Sequence, residues 1–339
     1  MIKVLIDCFG GDRCPQAPVE GALAALAKNP DLHVMLCGDQ EILQKELSGK
    51  VYDSSRLEIV HAPEVIGCDE KPTDVVRLKR NSSMMKAIIL LRDRDDISAM
   101  VSTGSTGALV TGALVRLGRI PGVIRPAFCP ILPTMNGGIV GICDSGANVE
   151  VTPAHLRQFA IMASLYMENV YGVKSPRVAL LNVGKEAEKG DEVRQETYKL
   201  LQETESVNFV GNMESRDLLS GNYDVVVADG FSGNVLVKTT EGTALELLSK
   251  LKKEIFSRTI YKIGALLMKK MFADMKEFMN YQNYGGSVLI GTSKVVVKGH
   301  GSSNATAVEK CIEQAYRMEK SSLSAKIEKE ISKYEHYDV

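Results

Sequence analysis

Six glycine-rich segments in this 339-residue chain carry side chains that could do chemistry. Each follows a run of apolar residues, and they span residues 7–12, 102–107, 144–148, 182–190, 229–234 and 300–304. In open α/β sheets, ligands bind beyond the carboxyl ends of the strands. Glycine, serine and asparagine are also ordinary turn and helix-cap residues. Six such turns together predict a shared ligand crevice at one edge of one sheet.

The segment at residues 102–107, with the sequence STGSTG, points to an anion as the ligand. It runs from a predicted strand into a predicted helix, where backbone N–H groups and hydroxyls can hold a phosphate without a metal. A well-capped turn explains the same residues equally well. The chain contains no GxxxxGK[ST], GxGxxG, GxSxG or HExxH motif, which disfavours P-loop, dinucleotide, hydrolase and zinc-protease sites.

Four polar side chains in these turns are candidates for the chemistry itself. Lys189 is either a cation for a phosphate or a developing oxyanion, or a solvated lysine at a helix start. His300 is either a general acid or base, or a turn histidine. Asn148 and Asn234 either cap helices or direct an amide donor at a carbonyl oxygen. We expect three aspartates at strand ends to orient these groups, namely Asp7, Asp144 and Asp229.

Apolar runs that alternate with helical periods predict the elements that position these turns. The predicted strands are Ile2–Asp7, 33–37, 57–62, Ala99–Ser102, Ile139–Cys143, Arg177–Asn182, 207–210, 224–228 and Val295–Lys298. The predicted helices include 18–28, 108–116, Pro153–Tyr171, 191–202 and 305–318. This alternation favours a mostly parallel sheet between two helical layers, a three-layer α/β/α fold. The chain has no repeat or flexible linker, so we expect one domain over residues 1–339.

Composition excludes several classes of protein. Hydrophobic residues make up 45% of the chain, charged residues 24%, and the net charge is -1, so overall charge does not favour nucleic acid as a partner. The N-terminal apolar run meets Asp7 too early for a signal peptide, and residues 97–115 predict a strand, turn and helix rather than a membrane span. The seven cysteines lack metal-site spacing and indicate reduced thiols in a cytoplasmic protein: Cys8, Cys14, Cys37, Cys68, Cys129, Cys143 and Cys311.

Residues 247–284 lack any strand pattern and predict a helical excursion from the sheet. Apolar residues recur there at spacings of three and four, giving one stripe: Phe256, Ile260, Ile263, Leu267, Met271, Met275 and Phe278. Eight basic and two acidic residues between positions 249 and 276 give a local charge of +6. A basic amphipathic helix suits an anionic membrane surface or an acidic carrier protein. Packing against the core or in a dimer is the alternative, with Gly264 dividing the segment into two helices. The predicted docking residues are Arg258, Lys262, Ile263, Leu267, Lys269 and Lys270.

Ten motifs, taken in order, resemble those of the bacterial phosphate acyltransferases. They cover nearly the whole chain and start at Asp7, Ser102, Leu132, Gly146, Pro153, Lys189, Phe209, Asp229, Glu241 and His300. The sequence differs from the family pattern at three positions, Arg13, Ser105 and Lys185.

The resemblance implies a fold like that of phosphotransacetylases and isopropylmalate dehydrogenases, and a homodimer. It implies a reaction of acyl-carrier protein and inorganic phosphate that gives acyl phosphate for a downstream membrane acyltransferase, without a metal or organic cofactor. Lys189 and Asn234 match catalytic positions, and His300 joins them as a candidate. The expected substrate-binding residues are Asp7, Gly10, Gly11, Asp12, Ser102, Gly104, Thr106, Gly107, Asn148, Asp229, Gly233 and Ser302.

The same architecture leaves other functions open. A short-chain acyl-CoA phosphotransacetylase shares the expected fold, and so does a dehydrogenase, although nucleotide motifs are missing. A non-catalytic scaffold for the carrier protein is the remaining alternative. Intact turns with Lys189, Asn234 and His300 favour an enzyme, which acts in the cytoplasm and docks on the inner face of the cell membrane.

Overall fold

The chain forms two β-sheets flanked by helices, as seen in a computed structural model that describes residues 1–67, 69–278 and 284–334. The strands are β1 (Ile2–Asp7), β2 (Leu32–Gly38), β3 (Leu57–His61), β4 (Ala99–Ser102), β5 (Ala127–Cys129), β6 (Ile131–Pro133), β7 (Ile139–Cys143), β8 (Arg177–Asn182), β9 (Asn208–Glu214), β10 (Val225–Val227), β11 (Ser287–Ile290) and β12 (Val295–Lys298). The helices are α1 (Gln16–Lys28), α2 (Gln40–Leu47), α3 (Pro72–Leu78), α4 (Ser83–Asp93), α5 (Thr106–Arg116), α6 (Pro153–Tyr171), α7 (Glu192–Gln202), α8 (Gly230–Ser257), α9 (Thr259–Leu267), α10 (Lys269–Phe278), α11 (Ala305–Lys320) and α12 (Leu323–Ile331).

Strand pairing corrects the expectation of a single sheet. The first sheet has the order β3-β2-β1-β4-β12-β11-β5, and the second has the order β6-β7-β10-β8-β9. Most neighbours are parallel, but β11 is antiparallel to both β12 and β5, and β6 is antiparallel to β7. Only Pro130 separates β5 from β6. Proline has no N–H for a strand ladder, and the chain passes from one sheet to the other at this residue.

Each of the predicted strands is present, and the burial of the central strands explains why these could be recognised. Val4, Leu5, Val101 and Val296 are at most 1% exposed, as expected for parallel strands covered on both faces. Helix boundaries follow local capping. Thr152 caps α6 through the backbone N–H of His155, and Gly172 ends α6 in the left-handed region at φ 73°.

The predicted helical excursion begins earlier than residue 247 and is divided differently. Helix α8 already starts at Gly230 and runs for 28 residues. The breaks lie at Arg258, in an extended conformation, and at Met268. Gly264 lies inside α9, so its expected role as the break is wrong. The apolar residues therefore lie on three helices rather than in one helical stripe, and residues 279–283 are outside the described part.

Two further expectations concern membrane spans and thiols. Within the described segments, every helix falls short of the length and apolar character that crossing a bilayer requires. Cys8, Cys14, Cys37, Cys129, Cys143 and Cys311 are free thiols. Cys68 lies outside the described residues. The assignment of residues 1–339 to one domain stays a prediction.

Candidate active site

A cavity of about 360 Å³ is lined by residues of both sheets. Phe128 and Lys298 come from the first sheet, and Ile131 and Leu132 come from the second. Its polar lining includes Thr106, Ser145, Asn234, Lys238, Lys298 and His300. The cavity thus combines an apolar wall with amide, hydroxyl, imidazole and ammonium groups and the carboxyl group of Glu241. Such a combination is typical of small-molecule sites.

Asp7 lies outside the cavity lining and holds two neighbouring elements in place. Its side chain is 1% exposed. One carboxylate oxygen accepts a hydrogen bond from the Ser83 hydroxyl at 2.6 Å, and the other accepts one from the Ser102 hydroxyl at 2.6 Å. Burial raises the pKa of Asp7, and the two serine hydroxyls oppose this rise. Asp7 therefore fixes the end of β4 and the start of α4.

The glycines of the first two turns let the turns pack directly on one another. A Cβ atom on Gly10 would lie 2.8 Å from the Cα of Gly104, and one on Gly104 would lie 2.6 Å from the Met84 methyl group. A Cβ atom on Gly107 would lie 2.8 Å from Pro72 Cγ, and one on Gly11 would lie 2.5 Å from Thr103 Oγ1. Close packing against a neighbouring turn or helix thus accounts for these glycines without a ligand. Larger residues at positions 104 and 107 would disturb the turns themselves.

His300 lines the cavity, and its neighbour Ser302 determines which ring nitrogen carries the proton. The backbone N–H of Ser302 donates to His300 Nδ1 at 3.2 Å, and the Ser302 hydroxyl lies 2.8 Å from the same nitrogen. Since Nδ1 accepts a backbone N–H, the neutral ring carries its proton on Nε2. Burial lowers the pKa of His300, and Lys298 lowers it further. At neutral pH, His300 is thus a neutral imidazole with an Nε2–H donor.

Two lysines in the cavity lining were missed in the sequence. Lys298 ends β12, and its ammonium group donates to the carbonyl oxygen of Gly299. Burial lowers the pKa of Lys298 to about 8. Lys238 lies on α8, four residues after Asn234 and hence on the same helix face. One sequence signal could have identified Lys298. It is a lysine at the end of a buried strand, just before the turn at His300. The lining also contains Glu241, whose pKa is raised by burial, so the two lysines outnumber the acidic side chains and favour an anionic ligand.

Asp144 organises the loop at residues 145–148. Its carboxylate accepts N–H bonds from Ser145 at 2.6 Å, Ala147 at 3.0 Å and Asn148 at 2.6 Å, and from Phe128 on β5 at 2.8 Å. The Asn148 amide donates to this carboxylate and to the carbonyl oxygen of Pro126 at 2.7 Å. Asn148 therefore holds the loop, and Ser145 is the loop residue that lines the cavity.

The start of α8 carries Asn234 against that loop. Asp229 caps the helix by accepting the Ser232 N–H at 2.8 Å, and it accepts an Arg194 Nη2 bond at 2.5 Å. Burial opposes ionisation of Asp229, but its Ser232 and Arg194 contacts leave the pKa lowered. A Cβ atom on Gly233 would collide with the Asp144 carbonyl oxygen. This close approach brings Asn234 beside Gly146 and into the cavity lining.

Lys189 occupies a different position from the other predicted catalytic residues. It is exposed in the loop after β8, where its carbonyl oxygen accepts a bond from the Asn182 amide at 3.0 Å. It is not among the described residues that line the cavity. The structure thus brings Asn234, His300 and Thr106 together. The other predicted residues lie outside that lining: Asp7, Gly10, Gly11, Asp12, Ser102, Gly104, Gly107, Asn148, Asp229, Gly233 and Ser302.

Residues 2–326 match the family model described as "Fatty acid synthesis protein". The chain is similar to the phosphate acyltransferase of Bacillus subtilis (strain 168), with 43% identity over 331 residues, 97% of this chain and 98% of that protein. It is also similar to the phosphate acyltransferase of Clostridium tetani (strain Massachusetts / E88), with 40% identity over 330 residues, 97% of this chain and 98% of that protein.

Solved structures with a similar fold include two phosphotransacetylases. The enzyme from Streptococcus pyogenes superimposes with a TM-score of 0.61 at 16% identity, covering 94% of each chain. The EutD phosphotransacetylase from Staphylococcus aureus has a TM-score of 0.57 at 16% identity, again covering 94% of each chain. These likenesses confirm the predicted α/β architecture.

Proposed function

The chain belongs to the phosphate acyltransferases of the fatty acid synthesis protein family, and we propose that it transfers a fatty acyl group from an acyl-carrier-protein thioester to inorganic phosphate. The product is an acyl phosphate, used by a downstream membrane acyltransferase for phospholipid synthesis. One observation carries this proposal. The cavity brings two lysines, a neutral histidine and an asparagine amide against an apolar wall, which suits a phosphate beside a fatty thioester.

The proposed reaction needs positioning more than a covalent nucleophile. A phosphate oxygen attacks the thioester carbonyl carbon, which becomes tetrahedral, and the carbonyl oxygen becomes an oxyanion. The C–S bond then breaks, the carbonyl re-forms, and the leaving thiolate takes up, through solvent, the proton that the phosphate group loses. Lys298 and Lys238 hold the phosphate anion. The Asn234 amide and His300 Nε2–H donate to the oxyanion, whose stabilisation is commonly the largest single contribution to such catalysis.

Lys189 serves a part of the substrate that lies outside the cavity. The resemblance assigns it to catalysis, and its exposed position in the loop after β8 leaves it accessible to an anionic group of the substrate. The phosphate of the carrier protein's phosphopantetheine arm is such a group. The three aspartates at the strand ends do not contact the substrate in this proposal. They position the turns that do, and they are Asp7, Asp144 and Asp229.

We expect the use of phosphate to depend on the charge of Lys298. Because the pKa of Lys298 is about 8, the side chain is charged below that pH and neutral above it. The kcat/KM for phosphate should therefore fall as pH rises through about 8. Lys298→Arg keeps its charge across this range and should lose that decline. If kcat/KM for phosphate falls equally with pH in the folded parent and in Lys298→Arg, Lys298 does not bind the phosphate.

A comparison of acyl donors tests the proposed function against its rivals. The parent enzyme is given phosphate with hexadecanoyl-carrier protein, hexadecanoyl-CoA or acetyl-CoA, and acyl phosphate is measured. We expect the carrier-protein thioester to be used with the highest kcat/KM. Preference for acetyl-CoA would identify a phosphotransacetylase instead. Binding of the carrier protein without any acyl phosphate would identify a scaffold.

The helices that follow the site form the proposed docking surface, defined as residues 256–275. Ile263 is 54% exposed and Leu267 is 85% exposed, and α9 has no buried residue. Lys262 lies over the Phe256 ring at 5.7 Å, so cations border the apolar side chains. Packing against the core does not account for such exposure. We therefore assign this surface to the inner face of the cell membrane, with the homodimer interface and carrier protein as the other candidates.

We expect Ile263→Glu and Leu267→Glu to lose binding to anionic liposomes, because each places a negative charge in the apolar surface. Sedimentation with phosphatidylglycerol vesicles measures the bound fraction. Val51→Glu is the matched control, since Val51 is 100% exposed and lies elsewhere. If the two docking variants stay folded and bind like Val51→Glu, the surface is not a membrane contact.

A further inference from the structure

A second, apolar groove adjoins the cavity of the active site. Its enclosed part has a volume of about 50 Å³. Its apolar lining comes from the end of β6 and the residues beyond it, Leu219, the middle of α8, and Phe278 at the end of α10. Leu132 and Glu241 line both the cavity and the groove. The cavity and the groove are therefore neighbours that share two lining residues.

One face of α8 leads from the polar site into this groove. Asn234, Lys238 and Glu241 face the cavity, and Ala244 and Leu248 follow on the same face at helical spacing. The helix rises about 1.5 Å per residue, so Lys238 and Leu248 are roughly 15 Å apart along its axis. The lining changes over that distance from charged to apolar. A ligand with a charged head and an apolar tail would match this order.

The chemistry of the groove lining favours an alkyl chain over a polar ligand. The Thr240 hydroxyl donates to the Leu236 carbonyl oxygen at 2.8 Å and is thus committed within the helix. Glu241, the remaining polar side chain among the described residues of the lining, lies at the junction with the cavity. Met135 and Leu245 on the open side are 65% and 55% exposed. An alkyl chain laid along the groove would cover this apolar surface.

We propose that this groove binds the fatty acyl chain of the substrate, with the thioester carbonyl in the cavity beside Asn234 and the chain passing Leu132 towards Leu248. The inference rests on the proposed function. It makes the groove, which we name the acyl groove, the part of the enzyme that selects long chains. The enclosed volume holds part of the chain, and the remainder lies against Met135 and Leu245.

Filling the acyl groove should remove the preference for long chains. Ala244→Phe places an aromatic ring in it, and Thr243→Phe is the matched control on an exposed position one residue earlier. Each buried methylene contributes about fourfold in affinity, so losing two or three should cost about 15- to 60-fold. We expect that loss in kcat/KM for hexadecanoyl-carrier protein, with butanoyl-carrier protein unchanged. Thr243→Phe should resemble the parent for both donors.

A second variant covers the case in which Ala244→Phe folds poorly. Met135→Glu adds a charge at the open side of the groove, at a residue that is 65% exposed. It should show the same selective loss for the hexadecanoyl donor. If both folded variants lose kcat/KM equally for the two chain lengths, or lose it for neither, the groove does not bind the acyl chain.

Binding of alkylphosphonates separates the acyl groove from the proposed reaction. Calorimetry with hexadecylphosphonate and butylphosphonate should show tighter binding of the longer chain to the parent, and no such gain for Ala244→Phe. If that pattern holds in an enzyme that makes no acyl phosphate, the acyl groove stands and the proposed function fails. If the parent makes acyl phosphate but binds both phosphonates equally, the acyl groove is wrong and the function stands.

Discussion

Asn234→Ala is expected to lower kcat by about a hundredfold to a thousandfold without unfolding the enzyme. Losing one donor to an oxyanion has an effect of this size in other acyl-transfer enzymes. The Asn234 side chain lies at the cavity wall beside Gly146. Steady-state kinetics and thermal unfolding measure the two properties. Asn222→Ala, at an exposed asparagine, is the control and should retain parental kcat.

Lys189→Ala is expected to abolish most activity as well, but through a different kinetic parameter. Because Lys189 lies outside the cavity lining, its loss should mainly raise KM for the carrier-protein thioester, whereas Asn234→Ala should mainly lower kcat. This split separates a residue that contacts the donor from one that stabilises the transition state. Near-native kcat/KM in both folded variants would show that the active site lies elsewhere.

The second large effect concerns stability rather than catalysis. Asp144→Ala is expected to lower the free energy of unfolding by about 3–5 kcal/mol. The Asp144 carboxylate is 0% exposed, and its loss leaves the N–H groups of Phe128, Ser145, Ala147 and Asn148 without their acceptor. Urea unfolding followed by circular dichroism measures the change.

Asp39→Ala provides the comparison for that experiment. Asp39 caps α2 through one bond to the Ile42 N–H at 3.1 Å, and losing such a cap costs about 1 kcal/mol. A similar small loss for Asp144→Ala would mean that the loop at residues 145–148 keeps its shape without the carboxylate. Positioning of Ser145 and Asn234 through Asp144 would then be contradicted.

Parallel strands could be predicted from the sequence because their buried, continuous apolar runs are distinctive. The strands β5 and β6 have three residues each, too short for a recognisable period. Antiparallel β11 was missed as well. The division into two sheets depends on the chain crossing at Pro130, and no local pattern shows to which sheet a three-residue strand belongs. The turns were therefore placed correctly at strand ends but assigned to one sheet instead of two.

The candidate site was predictable where turn residues reach the cavity, as Asn234 and His300 do. Lys238 was missed because the helical pattern was recognised only from residue 247, which left its face of α8 undefined. Lys298 was missed because a lysine at the end of a strand usually faces solvent. Gly10 and Gly104 were expected to approach a ligand, but tertiary packing of one turn on another determines their identity.

The transfer of the acyl group to phosphate is tested most directly by following both products of a single reaction. The parent enzyme is incubated with hexadecanoyl-carrier protein and inorganic phosphate, and phosphorus NMR follows the phosphate while a thiol reagent follows the released carrier. We expect acyl phosphate and free thiol to form in equal amounts, and both to form about a hundredfold to a thousandfold more slowly with Asn234→Ala. Thiol release with free fatty acid and no acyl phosphate would contradict the proposed transfer.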